Sequence, residues 1–383
     1  MKVLDMEGME VSVFSEYRRK IKVIEELGDI LSEEERKQAR NDFHAKRLPR
    51  PCGLTIHTGV GCDYACSYCY IPDMGFPFKA KLYPLNGRQL AYAVAINPSV
   101  TTGPYGTFLA FGSVTEPFLK STFKKTFQYI ENVVKYLGNP VQISTKSYIS
   151  LNSAFELKKV SNGKLSFLVT IITLKHYSTL EPNAPSPELR FETLYNLEKA
   201  GFTPTLFLRP IMPGINDGEI EDIFAKAETY GVRRVLIGSF RVTNRILMKL
   251  SKLSLDISKI TSRLRRKPEG NEQVPLVIAD IKEKVVKIAS KYGIKVYFQA
   301  CQVCSEDYNV PCWLPCTTKY MCTHNIEIVY DIDEVREFLT TLGFKVRKIV
   351  DSPYVLAIYG NISKHIASFL RWVIKKKVIV KHL

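Results

Sequence analysis

Three cysteines stand within one stretch of ten residues, G-C-D-Y-A-C-S-Y-C-Y (61–70), spaced C-x3-C-x2-C at Cys62, Cys66 and Cys69. Spacings this short let three thiolates converge on one metal centre from a single loop. Thiolate is the soft ligand that iron–sulfur clusters require. Three thiolates on a four-iron cubane leave one iron without a protein ligand, open to a chelating substrate or cofactor. The competing reading is a zinc site completed by His57 or Cys52, although zinc knuckles usually pair C-x2-C with a distant second pair.

A second set lies far downstream. Cys301, Cys304, Cys312, Cys316 and Cys322 are spaced C-x2-C-x7-C-x3-C-x5-C, and His324 follows. Four of these thiolates could hold an auxiliary iron–sulfur cluster. Four cysteines, or three with the histidine, could instead hold structural zinc. Pro311 and Pro315 favour tight turns there. The fifth cysteine would be spare, and Cys312 or Cys322 then becomes a candidate hydrogen-donating thiol. No cysteine occurs between the two sets. Two tight clusters in a chain with no apolar leader point to metal sites in a reducing cytoplasm, not to a disulfide framework.

Elements must carry these loops to their places. The chain has 383 residues, 45% of them hydrophobic, which supports a core of ordinary size. No apolar run is long enough for a transmembrane helix. Strand-like runs at 54–59, 107–112, 141–145, 165–173, 203–208 and 233–238 alternate with helix-like runs at 87–96, 123–137, 186–201 and 218–231. Strands rich in Val, Ile and Leu without clean alternation suggest a parallel sheet covered by helices. The expected fold is α/β, a partial (β/α)6 TIM-like barrel. Four regions are expected: a charged helical extension (1–50), the core (51–300), a cysteine-rich metal-binding segment (301–325) and a small α+β module (326–383). In the extension, Ser32 with Glu35 forms a capping-box signature. A long helix is expected over 275–292 and a strand over 293–300. The module reads β-α-β-β-α, its last helix running through 363–377.

The formal net charge is +16. That favours anionic partners, nucleic acid among them, although basic clusters at 46–50, 263–267 and 375–377 are dispersed.

The C-x3-C-x2-C motif with an aromatic before its last cysteine resembles the signature of the radical S-adenosylmethionine (SAM) superfamily. Its spore photoproduct lyase-like branch is resembled further by FGSVTEPF (111–118), ISTKSYI (143–149) and the stretch from 168 to 217. This resemblance implies a [4Fe–4S] cluster on Cys62, Cys66 and Cys69, with SAM on the open iron. It implies reductive cleavage of SAM to a 5′-deoxyadenosyl radical that abstracts hydrogen from a substrate. By position, Tyr68 would lie against adenine through its backbone. Ser113, Thr115 and Glu116 would surround the SAM amino group, and Lys146 its carboxylate. Thr170 and Arg209 are weaker candidates, and Tyr70 is a candidate hydrogen-atom relay. A one-electron donor such as ferredoxin or flavodoxin is implied as a partner. The branch's hydrogen-donating cysteine is missing: Gly112 stands in that neighbourhood. The C-terminal cysteines are loosely similar to auxiliary-cluster motifs of the superfamily. The rival function is a non-enzymatic, metal-bound nucleic-acid-binding protein. Its basic stretches lack the interleaved aromatics of a single-strand binder.

Overall fold

Short, apolar, β-branched runs that cannot expose either face must be covered on both sides, and the structure covers them. In this computed structural model, which describes residues 9–50, 53–253, 255–312, 326 and 328–381, seven strands form one all-parallel sheet. They are β1 (Leu54–Ile56), β2 (Leu109–Phe111), β3 (Val141–Thr145), β4 (Ser166–Thr170), β5 (Thr205–Ile211), β6 (Arg234–Ser239) and β7 (Lys295–Tyr297). Their spatial order equals their chain order, β7-β6-β5-β4-β3-β2-β1, so each crossover leads to the next strand. That is the winding of an open, partial barrel. Every residue of β4, at the centre of the order, is buried.

Helices Gly87–Ile96, Phe123–Asn132, Leu151–Val160, Pro187–Lys199 and Ile220–Thr229 supply five crossovers. Three of them begin at a capping residue. Asn86 and Gln89 form a reciprocal capping box, and Ser150 and Ser186 each accept a backbone N–H of the first turn. The helix expected over 275–292 begins only at Ala279, because Val274–Pro275 pairs antiparallel with Arg241–Val242.

The run expected as a strand over 293–300 ends at Tyr297, and Ala300–Tyr308 is a helix. Cys301 and Cys304 therefore stand on helical turns and not in a loop. Spacing of i, i+3 satisfies a helix as readily as it satisfies a metal. This helix crosses the amino-terminal mouth of the barrel. The Tyr308 hydroxyl accepts from Val141 N (3.0 Å) and donates to Lys164 O (2.9 Å), at the starts of β3 and β4. Asp307 accepts from Arg234, the first residue of β6, at 2.6 Å. Val303 is buried against Leu168 and Leu236 from inside the sheet.

The C-terminal module is a three-stranded sheet, β8 (Val346–Asp351), β9 (Val355–Gly360) and β10 (Lys377–Lys381), under helices Ile332–Thr341 and Lys364–Ile374. The expected helix over 363–377 stops at Ile374, because Lys375 adopts a left-handed conformation, and β10 follows. The beginning of the N-terminal segment joins this module. Met9–Glu10 pairs with Ile328–Val329, and Glu334 accepts backbone N–H groups of Val13 (3.1 Å) and Phe14 (3.2 Å) at the start of helix Val13–Ile30. A carboxylate at a helix N-terminus satisfies orphan donors and complements the helix dipole. The sequence reading of 1–50 did not bring out this 18-residue helix.

Candidate functional site

The first cysteine loop leaves β1 at its carboxyl end and is held by its backbone. Gly61 turns it with φ of +81°, where an added Cβ would lie 2.4 Å from Lys79 O, so only glycine fits. Ala65 takes a left-handed φ of +50° between Cys62 and Cys66. An L-residue stays in that region only where surrounding bonds hold it. Those bonds are present: Cys62 N donates to Pro77 O (3.3 Å), Ser67 N to Leu180 O (2.7 Å) and Lys249 Nζ to Ala65 O (3.2 Å). The Asn183 amide donates to Asp63 O (2.9 Å). Cys66 is buried, and Cys62 and Cys69 are half-buried.

The groups expected around this loop come from the carboxyl ends of successive strands. After β2, Glu116 is buried and accepts from Thr145 Oγ1 (2.5 Å) and from Lys146 N (2.9 Å), both at the end of β3. Burial raises its pKa above the usual carboxylate range, against the pull of Thr145 and Lys146. The Thr115 hydroxyl is buried without a partner among the described residues. Such an atom is costly unless something else satisfies it. The Lys146 ammonium lies 5.7 Å from the centre of the Tyr68 ring. Burial would lower its pKa, but the facing Cys66, Glu181 and Glu116 outweigh that and hold it above the ordinary lysine value. Half-buried Ser113 receives the Tyr70 hydroxyl on its carbonyl (3.3 Å). Thr170 ends β4 and is buried; its carbonyl accepts from Arg190 (3.1 Å). Arg209, exposed on β5, lies across Gly238 of β6. The structure thus gathers Cys62, Cys66, Cys69, Tyr68, Tyr70, Ser113, Thr115, Glu116, Lys146, Thr170 and Arg209 toward one rim.

A buried ion pair beneath the loop escaped the sequence reading. Glu181 accepts hydrogen bonds from the Tyr68 hydroxyl and from Arg190, and both charged side chains have no exposed surface. Arg190 also donates to Pro185 O (2.8 Å). Apart from their buried positions, nothing in the residue types singles these two out. Their link to Tyr68 spans 113 residues.

The donor set suits a soft metal cluster. Burial pushes the Cys62 thiol up to about 11 and the Cys66 thiol up to about 12, so both are protonated while metal-free. Loading a thiolate-bound metal therefore releases protons. Among the described residues no three of His, Cys, Asp and Glu come together as the ligands of one metal ion. The histidine of the zinc alternative lies among aromatic rings, with its Nε2 buried and without a partner among the described residues. His57 is enclosed by Phe43, His44 and Tyr83, stacked at 5.6 Å on the Phe43 ring. Cys52 lies outside the described residues.

The second cysteine set sits elsewhere. Cys301 and Cys304 are buried and Cys312 half-buried in a cluster with Phe108, Val310, Tyr105 and Tyr308. Phe108 precedes β2, so this cluster lies at the amino ends of the strands. Cys316 and Cys322 lie outside the described residues, as does His324. Cys312 is thereby placed away from the rim, which removes it as a hydrogen donor there. Gly112 itself has φ of +93°, and a Cβ would meet Ser144 O at 2.2 Å. A cysteine at that position would strain the sheet.

Residues 56–227 match the radical SAM superfamily model. The chain carries a radical SAM domain and is an enzyme of that class. It is similar to an uncharacterized protein of Methanocaldococcus jannaschii, 25% identical over 184 residues that make up 48% of this chain and 69% of that protein. In fold it resembles a variant of spore photoproduct lyase, with a TM-score of 0.54 and 16% identity over 66% of this chain and 79% of that one. It also resembles a variant with bound AdoMet and dinucleoside spore photoproduct, with a TM-score of 0.52 and 16% identity over 64% and 76% of the two chains. The radical SAM domain supports the enzymatic reading over the rival, non-enzymatic one.

Proposed function

We propose that Cys62, Cys66 and Cys69 hold a [4Fe–4S] cluster whose fourth iron binds SAM, and that the enzyme abstracts a hydrogen atom from nucleic acid. The single observation that carries the site is the convergence of this loop with Thr115, Glu116 and Lys146 at the carboxyl ends of β1 to β3. When bound, the cluster supplies the electron that cleaves SAM to methionine and a 5′-deoxyadenosyl radical. The chain's own residues orient and shield. Lys146 offers an ammonium to the carboxylate of SAM. Thr115 offers its unpaired hydroxyl, and Glu116, facing the same space, accepts from the SAM ammonium. Glu181 fixes the Tyr68 ring, so that the backbone beside it meets adenine in one orientation. Ser113 and Tyr70 line the path to substrate, with the Tyr70 hydroxyl as hydrogen-atom relay. Thr170 and Arg209 close the far side of the rim. The packed rim excludes water, which protects a reactive radical.

Two features support nucleic acid as substrate: the formal charge of +16 and a fold neighbour solved with a dinucleoside photoproduct. The thiols of Cys301, Cys304 and Cys312, with those of Cys316 and Cys322, are proposed as a second metal site, iron–sulfur or zinc. Residues 1–50 and 326–383 are proposed to serve as one accessory unit beside the core and the segment 301–325. The thiol content favours the cytoplasm; no helix among the described residues is long and apolar enough to cross a membrane.

The test is anaerobic reconstitution with iron and sulfide, followed by SAM and dithionite. The expected product is 5′-deoxyadenosine, and deuterium should enter it from a deuterated oligonucleotide. No SAM cleavage by fully loaded protein would sink the site. Cleavage without deuterium transfer would sink only the substrate class.

A further inference from the structure

Reduction of a cluster at this loop needs an electron from outside the chain, and electron transfer weakens steeply with distance. The donor must therefore approach the outer side of the loop. That side is built from two segments. The first is the stretch after Cys69, beginning with the 3-10 turn Ile71–Met74. The second is helix Asn244–Ser251, which follows β6 and comes back over the loop.

The helix is anchored by its start and by its core face. Thr243 Oγ1 donates to the buried Asp73 (3.0 Å), and Ile246 and Leu250 are buried. Its outer face carries Arg245, Met248 and Lys249. Lys249 reaches both the loop carbonyl of Ala65 and the Phe78 ring, with its ammonium 4.6 Å from the ring centre. Arg245 lies 6.0 Å from the same centre. Met248, between Arg245 and Lys249 on the helix, is 60% exposed, and Met74, next to the Asp73 that Thr243 holds at the start of that helix, is 49% exposed. Lys79 follows Phe78, Lys252 stands one helical turn after Met248, and both are exposed, as is Lys81.

The charge is not cancelled locally. No acidic residue occurs between Asp73 and Glu116, or between Glu228 and Asp256. Asp63 directs its carboxylate to Ala80 N (2.9 Å), and Asp73 is held by Thr243. Exposed methionines beside cations are suited to a small, transient protein interface, where complementary charge sets the encounter rate. A nucleic-acid strand is disfavoured at the Phe78 ring, because Arg245 and Lys249 already lie against it and compete with a stacking base.

We infer that the surface formed by Met74, Phe78, Lys79, Arg245, Met248 and Lys252 docks an acidic one-electron carrier protein beside the cysteine loop. This rests on the cluster proposed above. In the step itself one electron leaves the reduced carrier, which is oxidised, and the cluster is reduced by one electron; no bond is made or broken. Lys249 belongs to the loop's own support and is left intact in the test.

The experiment compares the full-length, cluster-loaded protein with a Lys79→Glu/Arg245→Glu/Lys252→Glu variant. Flavodoxin, an acidic flavoprotein, serves as the carrier. Binding is measured by titration at low and high salt, cluster reduction by absorbance, and SAM cleavage with dithionite as control. The wild-type protein should bind flavodoxin with an affinity that falls as salt rises. The variant should bind at least about tenfold more weakly and be reduced correspondingly more slowly by flavodoxin. Its dithionite-driven SAM cleavage should be unchanged. Unaltered flavodoxin binding and reduction in the variant would overturn the inference. Loss of affinity for a single-stranded oligonucleotide with flavodoxin binding intact would overturn it in favour of nucleic acid. Failure of dithionite-driven cleavage in the wild-type protein would instead count against the cluster.

Discussion

The first cysteine set and the described members of the second, Cys301, Cys304 and Cys312, occupy opposite ends of one parallel sheet, and they are built in opposite ways. At the carboxyl ends, Cys62, Cys66 and Cys69 ride on a loop with two left-handed residues, braced by backbone hydrogen bonds and one lysine. Charged groups crowd it: Lys146, Glu116 and the Glu181–Arg190 pair. At the amino ends, Cys301 and Cys304 sit on a regular helix among Phe108, Val310 and Tyr308. The charges that act on Cys304 there are Asp307, paired with Arg234 at 2.6 Å, and the buried Lys375, whose ammonium donates to Tyr105 O (2.6 Å). Both ends bury an ion pair, so backbone strain is what separates them: a strained loop at the end proposed for chemistry, a regular helix at the other.

Substitutions at the two ends should separate these roles. The largest effect belongs to the first loop. Cys66→Ala should remove the iron of that loop and lower 5′-deoxyadenosine formation by at least about 1000-fold, as expected when one member of a catalytic unit is lost. Cys304→Ala should leave that rate within about threefold and cost about 1–3 kcal/mol in urea unfolding, as for a truncated buried side chain. Equal loss of cleavage in both would erase the contrast.

Next come the buried ion pairs, one at each end. Glu181→Ala and Asp307→Ala each strand a buried arginine, Arg190 or Arg234, and each should destabilise the fold by about 3–5 kcal/mol in the same urea assay. Only Glu181→Ala should also raise the KM for SAM, because only Glu181 holds Tyr68. A KM change in Asp307→Ala would show that the ends communicate.

Lys146→Ala should raise the KM for SAM by about 10–100-fold with little change in the urea midpoint, and Lys146→Arg should restore it incompletely, since a guanidinium does not reproduce a point charge. Steady-state kinetics over a range of SAM concentrations reads this directly.

The smallest effect is a pH dependence. Burial, with His44 and Arg47 nearby, pushes His57 down to about 3. Its folded pKa lies below the unfolded value near 6.5, so the unfolded chain takes up the proton first. The stability it contributes is complete above about pH 6.5 and is lost progressively as pH falls toward about 3. His57→Gln should flatten the fall of Tm between pH 6.5 and 4 relative to the wild-type protein.

Much of the scaffold was legible in the chain. Val-, Ile- and Leu-rich runs announced all seven strands, and caps at Ser32, Asn86, Ser150 and Ser186 lie where helices start. The C-x3-C-x2-C loop was legible because ligand spacing is a local feature, whereas its strand-end partners Glu116 and Lys146 came only through the family resemblance of their segments. The helix over Ala300–Tyr308 was not, since C-x2-C fits a metal loop and a helical turn alike. Lys375 hid the last strand, because a lysine in a left-handed cap carries no sequence signal that glycine would have given.

Residue type and short-range spacing, then, determined by themselves the thiolate chemistry and the parallel sheet, and the resemblance carried by the cysteine motif and strand-end segments pointed to the class of enzyme. Tertiary structure alone decided which end of the sheet each cysteine set occupies and that Glu181 and Arg190 meet under Tyr68. It also brought Arg245 and Lys249 against the Phe78 ring beside the first loop. The reason is physical. Ligand spacing and propensity act over a few residues, whereas burial of a charge or the meeting of two surfaces is settled only when distant segments pack.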